Sequence, residues 1–390
     1  MRRRAGLSPD ATAKNVAPLK RPHSPDSAEL ADGFGPRSCM GFTDRMKSFF
    51  LTPALPLLLA LLNAPGAYAA SDDKPILVTP DNFVRAESDL YFSGVVKDGG
   101  FGKFMHRREP TPIAKQTVIR MNRDTLYSAA VFDLDAGPVT ITLPDPGKRF
   151  LSMQAIDEDE YTPEVHYGAA VRTLTKDQIG TRYVIVAIRI LVDPDDPKDV
   201  ETVHALQDAI TVSQPGGPGT FTMPNWDASS QVKVRDALLS LGSTVPDTKG
   251  MFGPKGNVDP VRHLIGSAVA WGGNPEEDAL YLNVTPAHND GKTIYKLSVK
   301  DVPVEGFWSI SVYDDKGHFV GNSHNAYSLN NLIAKPADDG SFTVQFGGCD
   351  GVIVNCLPTS PGWNYLVRLY RPKPEILNGA WTFPEPQAAH

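Results

Sequence analysis

The chain has 390 residues, of which 38 are basic and 45 are acidic, so its formal net charge at pH 7 is −7. Nine of the basic and five of the acidic residues precede Ala70, which leaves a net charge of −11 on the rest of the chain. Such an acidic protein repels phosphate backbones and anionic lipid. Nucleic acid is therefore not an expected partner.

The first 69 residues contain a pattern typical of export. Residues 1–45 are rich in Arg, Pro, Ser and Asp and lack an apolar period, so they are predicted to be disordered. Residues 46–69 follow the order of a signal peptide: Lys47, an apolar run of Phe and Leu, and the cleavage pattern Ala67-Tyr68-Ala69. The apolar run is shorter than the roughly 20 residues of a membrane span, which disfavours an uncleaved anchor helix.

We therefore expect a periplasmic or secreted protein that starts near Ala70 and has no stable membrane span after cleavage. Met46 is the expected true start of translation, because signal peptides do not usually carry a long extension. The sequence does not indicate an oligomeric state.

Residues 75–212 are predicted to form an N-terminal β domain. A helix follows Asp81 and ends at Gly99-Gly100. Short runs with the composition of strands come next, separated by turn signals, at 126–134, 139–143, 150–156 and 183–191. Strands at this spacing favour an antiparallel sandwich over alternating βαβ units.

Residues 213–275 are predicted to be a helical connecting segment, and residues 276–390 a second β domain. Ser230 is the expected cap of one connecting helix, and Asp259-Pro260 begins another that closes at Gly272-Gly273. The second domain is predicted from strand patterns at 294–299, 307–313, 342–346 and 365–370. The expected fold is mainly β, with two antiparallel β-sandwich domains joined by helices.

Two cysteines, Cys349 and Cys356, follow the signal segment. In an oxidising compartment, an even pair this close in sequence predicts a disulfide. Two free thiols are the alternative. A metal pair is disfavoured, because two sulfurs without nearby histidines make an incomplete zinc site.

Two stretches of the chain resemble known domain families. The sequence Met-Asn-Arg-Asp-Thr-Leu-Tyr-Ser at 121–128, with 131–134 and Gly137-Pro138, resembles domain of unknown function 1254. The segments 307–313, 355–358, 363–365, 368–370 and 379–381 resemble domain of unknown function 1214. The resemblance implies two β-sandwich domains, the second jelly-roll-like, with helices between them. It implies no particular chemistry.

Four residues are the predicted ligand-binding site: Arg123, Asp124, Tyr127 and Trp271. Arg123 and Asp124 precede an apolar strand, and neighbouring side chains on an extended chain diverge, so one of them needs another partner. That partner is either a substrate carboxylate or a protein group, and a structural ion pair is the alternative interpretation. Tyr127 lies beside them, and Trp271 is the expected apolar wall of a pocket between the domains.

Other polar residues have weaker functional interpretations. The acidic run Asp157-Glu158-Asp159-Glu160 suits calcium binding or acid–base chemistry, with His166 as a possible partner, but a solvated loop is the favoured reading. His263, in an apolar helix, is expected to be a hydrogen-bonded packing residue. His318 and His324 make a weak metal pair. No metal or cofactor is predicted.

Three function classes remain open from the sequence. The chain contains no Gly-x-Ser-x-Gly, Walker, His-Glu-x-x-His or Cys-x-x-Cys motif. This favours a protein that binds a small apolar or carboxylate-bearing molecule between the domains. A hydrolase or lyase that uses acid–base residues without a covalent serine is the second class. A structural protein of the cell envelope is the third.

Overall fold

The computed structural model describes residues 74–116, 119–245 and 247–389. The extension 1–45 and the signal segment 46–69 lie outside the described residues, so both remain predictions. The described residues belong to one compact unit. The proposed boundaries at residues 213 and 276 are also still predictions.

Eight strands of the described chain lie in its first half and form two antiparallel sheets. They are β1 (Met105–His106), β2 (Thr125–Asp133), β3 (Val139–Leu143), β4 (Leu151–Asp157), β5 (Glu164–Tyr167), β6 (Ala170–Leu174), β7 (Tyr183–Leu191) and β8 (Thr211–Ser213). One sheet has the order β1-β2-β7-β4-β5, and the other has the order β6-β3-β8.

Strand alternation explains how these two sheets pack. In the five-stranded sheet, one face carries residues such as Phe132, Met153 and Val186, which share a hydrophobic core with Ile141 of the three-stranded sheet. Successive side chains of a strand point to opposite faces. The residues between these core positions therefore lie on the other face of the five-stranded sheet.

Six α-helices are present within the described residues. They are α1 (Phe83–Lys97), α2 (Lys176–Ile179), α3 (Pro197–Asp208), α4 (Ala228–Gly242), α5 (Pro260–Val269) and α6 (Pro374–Leu377). Asp259 caps α5 as predicted, accepting hydrogen bonds from the main-chain N–H groups of Val261 and Arg262. The first helix begins after Asn82 rather than after Asp81. None of the described helices is long and apolar enough to cross a membrane.

The second half of the described chain contributes eight more strands. They are β9 (Ala279–Val284), β10 (Tyr295–Val299), β11 (Trp308–Tyr313), β12 (Ser328–Asn330), β13 (Phe342–Phe346), β14 (Cys356–Leu357), β15 (Asn364–Tyr370) and β16 (Gln387–Ala388). They form sheets of order β14-β13-β10-β16 and β12-β11-β15-β9. The pairing is antiparallel except between β13 and β14. One hydrophobic core contains side chains of both sheets.

The mainly β prediction is therefore confirmed. Strands 139–143, 183–191 and 342–346 have the predicted bounds. The pattern analysis missed several short strands and also β9, which pairs with β15 along six residues. This omission matters for the site, because β9 carries Tyr281.

The predicted disulfide is also confirmed, since Cys349 and Cys356 are bonded to each other. The bond closes a short loop that leads into β14, where Cys356 pairs with Gln345 of β13. It therefore attaches this loop to the edge of the second core.

Reduction of the Cys349–Cys356 bond is expected to lower the melting temperature without unfolding the protein. A loop of this length gives about 2 kcal/mol in the chain-entropy account, less than longer loops give. Thermal melting with and without a phosphine reductant measures the change, and a Cys349→Ser, Cys356→Ser variant should match the reduced protein. Two thiols labelled in unreduced, unfolded material would contradict the bond.

Candidate functional site: a buried polar layer between two sheets

The five-stranded sheet carries a polar patch on the face opposite its hydrophobic core. Tyr127 of β2 and Arg189 of β7 are directly opposite each other in the ladder, and Gln154 of β4 lies on the same face. Arg189 and Gln154 are buried, at 8% and 0% exposure. Strands β2, β7 and β4 thus each present one polar side chain on the face opposite the hydrophobic core.

The sheet of order β12-β11-β15-β9 carries the matching polar groups. Tyr281 of β9 and Arg368 of β15 are directly opposite each other, and Tyr370 follows two residues after Arg368. The other face of these strands belongs to the second core. One amide joins the two sheets: Asn122 Nδ2 donates to Tyr127 Oη at 3.3 Å and to Tyr370 Oη at 3.1 Å. We call these residues, with Arg189, the polar layer.

Arg189 lacks a carboxylate partner in this layer. Its Nη1 donates to Gln154 Oε1 at 2.8 Å, and its guanidinium carbon lies 5.6 Å from the centre of the Tyr127 ring. No carboxylate of the described residues forms a salt bridge with it. A guanidinium has five N–H donors, and the hydrogen bonds with Gln154 and the Tyr127 hydroxyl use two of them. Arg189 is therefore a buried cation with donors to spare.

Three tyrosine hydroxyls add further donors around Arg189. Tyr127 and Tyr370 accept from Asn122, and Tyr281 accepts from Asn274 Nδ2 at 2.8 Å. Because an amide N–H is the donor in each bond, the hydroxyl protons remain available. Tyr127 and Tyr281 are only partly buried, so the layer keeps some accessible surface.

The pKa values of these tyrosines respond to the guanidinium groups. Burial alone would raise the pKa of Tyr127, but Arg189, the neighbouring Thr125 and Asn122, and Arg368 together hold it below its usual value. Burial and the nearby hydroxyls of Tyr281 and Tyr127 raise the pKa of Tyr370. The two tyrosines therefore differ in acidity although both accept from the same amide.

Arg368 has a different environment from Arg189. It donates to Ser311 Oγ and Tyr313 Oη, both at 2.8 Å, and to the carbonyl oxygen of Arg120 at 2.9 Å. Its Nη1 is also 3.9 Å from Asp124 Oδ2. These bonds connect β15 to β11 and to the segment that precedes β2. Arg368 is thus satisfied by protein groups.

Asp124 and Arg123 do not pair with each other. Asp124 is buried, accepts a hydrogen bond from Asn330 Nδ2 at 3.2 Å and has Arg368 as its nearest cation. Burial raises its pKa, and Arg368 opposes the rise. Arg123 donates to the carbonyl oxygen of Thr111, and its guanidinium carbon lies 5.1 Å from the Tyr327 ring centre. The expectation that one residue needs an outside partner is met by Arg368.

Trp271 lies on the same face of the five-stranded sheet but farther along it. It packs in a hydrophobic cluster with Val131 and Ile185 and stacks on Tyr91 of α1 at 4.3 Å between ring centres. Val131 is four residues from Tyr127, a distance of roughly 13 Å along a strand. Of the four predicted residues, Tyr127 lies in the polar layer and Asp124 adjoins it through Arg368. Arg123 and Trp271 have other partners.

The solvated-loop interpretation of residues 157–160 is wrong. Asp157, Glu158 and Glu160 are at most 7% exposed. Glu158 accepts from the Tyr183 main-chain N–H at 2.9 Å, and Arg85 of α1 donates to Asp159. The run forms a tight turn whose carboxylates serve mainly as acceptors for neighbouring elements.

His263 has the role that its position in an apolar helix predicted. His263 is buried, and its ring nitrogens lie 2.8 Å from the carbonyl oxygen of Met251 and 2.9 Å from that of Asp159. It is a hydrogen-bonded packing residue, as predicted. No group of three or more His, Cys, Asp or Glu side chains within the described part of the chain is placed to hold a metal ion.

Sequence reasoning missed Arg189, Arg368, Tyr281 and Tyr370. A usable signal was present for the two arginines. Each is the single charged residue inside an otherwise apolar strand, at 183–191 and 364–370. A charge in such a position is buried on at least one face and needs a specific partner.

Two family descriptions match separate parts of the sequence. Residues 101–168 match the family described as protein of unknown function DUF1254, and residues 281–374 match protein of unknown function DUF1214. The chain carries a DUF1254 domain followed by a DUF1214 domain. This confirms the pair and the order that the sequence motifs indicated. The polar layer takes Asn122 and Tyr127 from the first matched region and Tyr281, Arg368 and Tyr370 from the second, while Arg189 lies between the two matches.

Solved structures resemble the fold. The VPA0106 protein from Vibrio parahaemolyticus matches with a TM-score of 0.61 and 16% identity, covering 79% of this chain and 96% of that one. An uncharacterised protein from Burkholderia cenocepacia matches with a TM-score of 0.47 and 14% identity, covering 79% and 86%. No curated protein matches the sequence. At these identities the first likeness concerns the fold alone.

Proposed function

We propose that this is an exported protein that binds a small carboxylate-bearing molecule in the polar layer, with Arg189 as the anchor. The observation that carries the proposal is the excess of hydrogen-bond donors around Arg189 without a carboxylate to accept them. A guanidinium binds a carboxylate through two parallel N–H bonds. The hydroxyls of Tyr127, Tyr281 and Tyr370 are the additional donors.

The proposal includes two finer features of the fold and location. The two pairs of sheets, each with a shared hydrophobic core, favour two β-sandwich domains, the second jelly-roll-like. The ligand then lies between them. The signal pattern at 46–69 favours a periplasmic or secreted location, and the Cys349–Cys356 disulfide suits an oxidising compartment.

Substituting Arg189 by methionine is expected to abolish carboxylate binding while leaving stability within about 1 kcal/mol or raising it. Replacing a buried charge that lacks a carboxylate partner with an apolar side chain of similar volume removes a desolvation penalty. The measurement is a thermal-shift panel of small carboxylates, each paired with its neutral amide. The unsubstituted protein should respond to a carboxylate and not to its amide, and Arg189→Met should respond to neither.

Arg149→Met is the matched control. Arg149 donates to the carbonyl oxygen of Leu191 at 2.7 Å and forms a salt bridge with Asp199. Its loss should lower stability and leave carboxylate affinity unchanged. If Arg189→Met keeps full affinity, or destabilises the protein more than Arg149→Met does, Arg189 is a structural residue and the proposal fails.

A second function is supported by the lowered pKa of Tyr127. A tyrosine that ionises more readily than usual, beside a guanidinium that holds a carboxylate, is suited to proton abstraction in a lyase or hydrolase. Any carboxylate found in the panel should therefore be recovered and identified by mass after incubation. Recovery of the intact compound supports binding alone. Conversion that stops in Tyr127→Phe supports the enzyme.

A further inference from the structure

We propose that a cavity at the end of β4 binds a small organic cation through Asp157. The cavity has a volume of about 300 Å³, at the lower end for small-molecule sites. Its lining includes Asp157, Asp159, Tyr161, Thr181, Pro254 and Lys255. It does not include any member of the polar layer, so this proposal is independent of the carboxylate site.

Asp157 presents an unpartnered carboxylate oxygen to this cavity. The residue is 5% exposed. Its Oδ1 accepts the main-chain N–H groups of Asp159 and Tyr161, both at 2.9 Å. Its Oδ2 has no hydrogen-bond partner among the described residues. One oxygen of this carboxylate is thus fixed by two hydrogen bonds, and the other is open to the cavity, where it can accept a hydrogen bond from a ligand.

The charges around Asp157 favour a cation over an anion. Asp159 also lines the cavity, and its carboxylate pairs with Arg85 of α1 at 2.6 Å. No cation of the described residues forms a salt bridge with Asp157. Lys255 is exposed and forms none with any described carboxylate, so its side chain is able to move aside. Lys255 is thus the one cation among the residues that line the cavity, and it is not paired with Asp157.

Tyr161 provides a second contact for a cation. His263 of α5 stacks on its ring at 4.6 Å between centres, which covers one face. Lys255 Nζ lies over the ring, 5.5 Å from its centre. An ammonium group on an aromatic face is attracted to the ring quadrupole. The internal ammonium of Lys255 thus occupies a position that an alkylammonium or quaternary ammonium ligand would take.

The titration of Asp157 supports the same assignment. Burial and then Asp159 raise the pKa of Asp157 to about 7, while its two N–H bonds and Arg85 lower it. The other ionisable groups around it are Glu160 and Tyr161 of the same turn, Lys255 of the loop before α5, and His263. Because Asp157 must be ionised to hold an ammonium group, affinity should increase from pH 6 to pH 8.

Isothermal titration with butylammonium and tetramethylammonium chloride tests the proposal, with sodium chloride and butanol as controls. Both cations keep their charge at pH 6 and pH 8. At least one should bind at pH 8, and at least fivefold more weakly at pH 6. Asp157→Asn should weaken binding at least tenfold without lowering the melting temperature, because the amide oxygen still accepts both N–H bonds and the side chain no longer ionises. Lys255→Met should tighten binding, since it removes the competing ammonium.

Three results would overturn the assignment. The first is undiminished affinity in a folded Asp157→Asn variant. The second is the absence of binding at pH 8 in both the unsubstituted protein and Lys255→Met. The third is displacement of the ammonium by millimolar calcium, which would assign the cavity to a metal ion. If Asp157→Asn does not fold, the pH dependence and the Lys255→Met comparison decide the matter.

Discussion

Substituting Arg368 by methionine is expected to destabilise the folded protein by about 3–5 kcal/mol, the range for breaking a buried charged network from one side. Arg368 is 3% exposed and donates to side chains of β11 and to the main chain before β2. Methionine keeps most of the volume and removes every donor. The buried acceptors are then left without partners, and each costs about 1–3 kcal/mol.

The same substitution affects Asp124, whose nearest cation is Arg368. In Arg368→Met, Asp124 is expected to bind a proton, because burial already raises its pKa. Asp124→Asn should therefore cost less than Arg368→Met, since its amide oxygen still accepts from Asn330. Equilibrium unfolding in urea at pH 7 gives both free energies.

Arg107→Met is the control for Arg368→Met. Arg107 forms an exposed ion pair with Asp98, with side-chain exposures of 64% and 49%. Exposed pairs of this kind contribute about 0–1 kcal/mol. If Arg368→Met loses no more free energy of unfolding than Arg107→Met does, the network around Arg368 does not hold the two sheets together.

The second large effect is a loss of stability as the pH rises from about 5.5 to 8. Burial raises the pKa of Glu160 to about 8, with Glu87 and Asp157 adding to the rise. Glu160 is 1% exposed and accepts the Gly272 main-chain N–H at 2.9 Å, while its Oε2 has no partner among the described residues. The folded protein therefore holds a proton on Glu160 at neutral pH.

Stability falls with rising pH because the folded and unfolded states release the Glu160 proton at different pH values. Below the ordinary glutamate pKa of 4.5, both states hold the proton and the stabilising contribution is complete. Above that pH the unfolded chain releases the proton while the folded protein keeps it until about pH 8, so stability falls. At about 1.4 kcal/mol per unit, Glu160 alone contributes a loss of about 3 kcal/mol between pH 5.5 and 8.

Two other carboxyl groups with raised pKa values also lower the stability of the protein as the pH rises. Burial raises the pKa of Asp157 to about 7 and that of Asp89 to about 6. The lowered pKa values of Asp133 and Asp199, which pair with arginines, have the opposite sign, but their effect lies below about pH 4. They therefore do not offset the loss of stability between pH 5.5 and 8.

Urea unfolding at pH 5.5, 7 and 8.5 measures the slope of the free energy of unfolding against pH. Glu160→Gln should remove a large part of it, because glutamine does not titrate and keeps an acceptor for Gly272. The stability of Glu160→Gln relative to the unsubstituted protein should therefore be higher at pH 8.5 than at pH 5.5. A slope that is the same in both proteins would mean that Glu160 is ionised in the folded state.

Much of the local structure was predictable because it depends on short-range patterns. The strand 183–191 is bounded by turn residues, and its β-branched composition favours an extended chain whatever lies beside it. Asp259-Pro260 starts a helix by local hydrogen bonding. The disulfide followed from the count and spacing of cysteines. Strand β9 was missed because its polar and aromatic residues, Tyr281 and Asn283, weaken the apolar pattern of a short strand.

The site was much less predictable, because its residues are far apart in the chain. Tyr127 and Asp124 were selected for a local reason, polar residues at the start of an apolar strand. Arg189 and Arg368 were each visible as a charge inside an apolar strand, yet nothing in the sequence indicates that their two sheets face each other. Asn122 meets Tyr370 across 248 positions of the chain.

The sequence by itself therefore determined the β-rich class, the pair of family matches and their order, several strands and the disulfide. The tertiary structure alone decided the partners of the buried charges. It assigned Arg368 to Asp124 and to main-chain carbonyls, left Arg189 among tyrosine hydroxyls, and buried the acidic turn 157–160 that composition places in solvent. The physical reason is that strand patterns depend on neighbours in sequence, whereas the energy of a buried charge depends on which groups the packed sheets bring within a few ångströms of it.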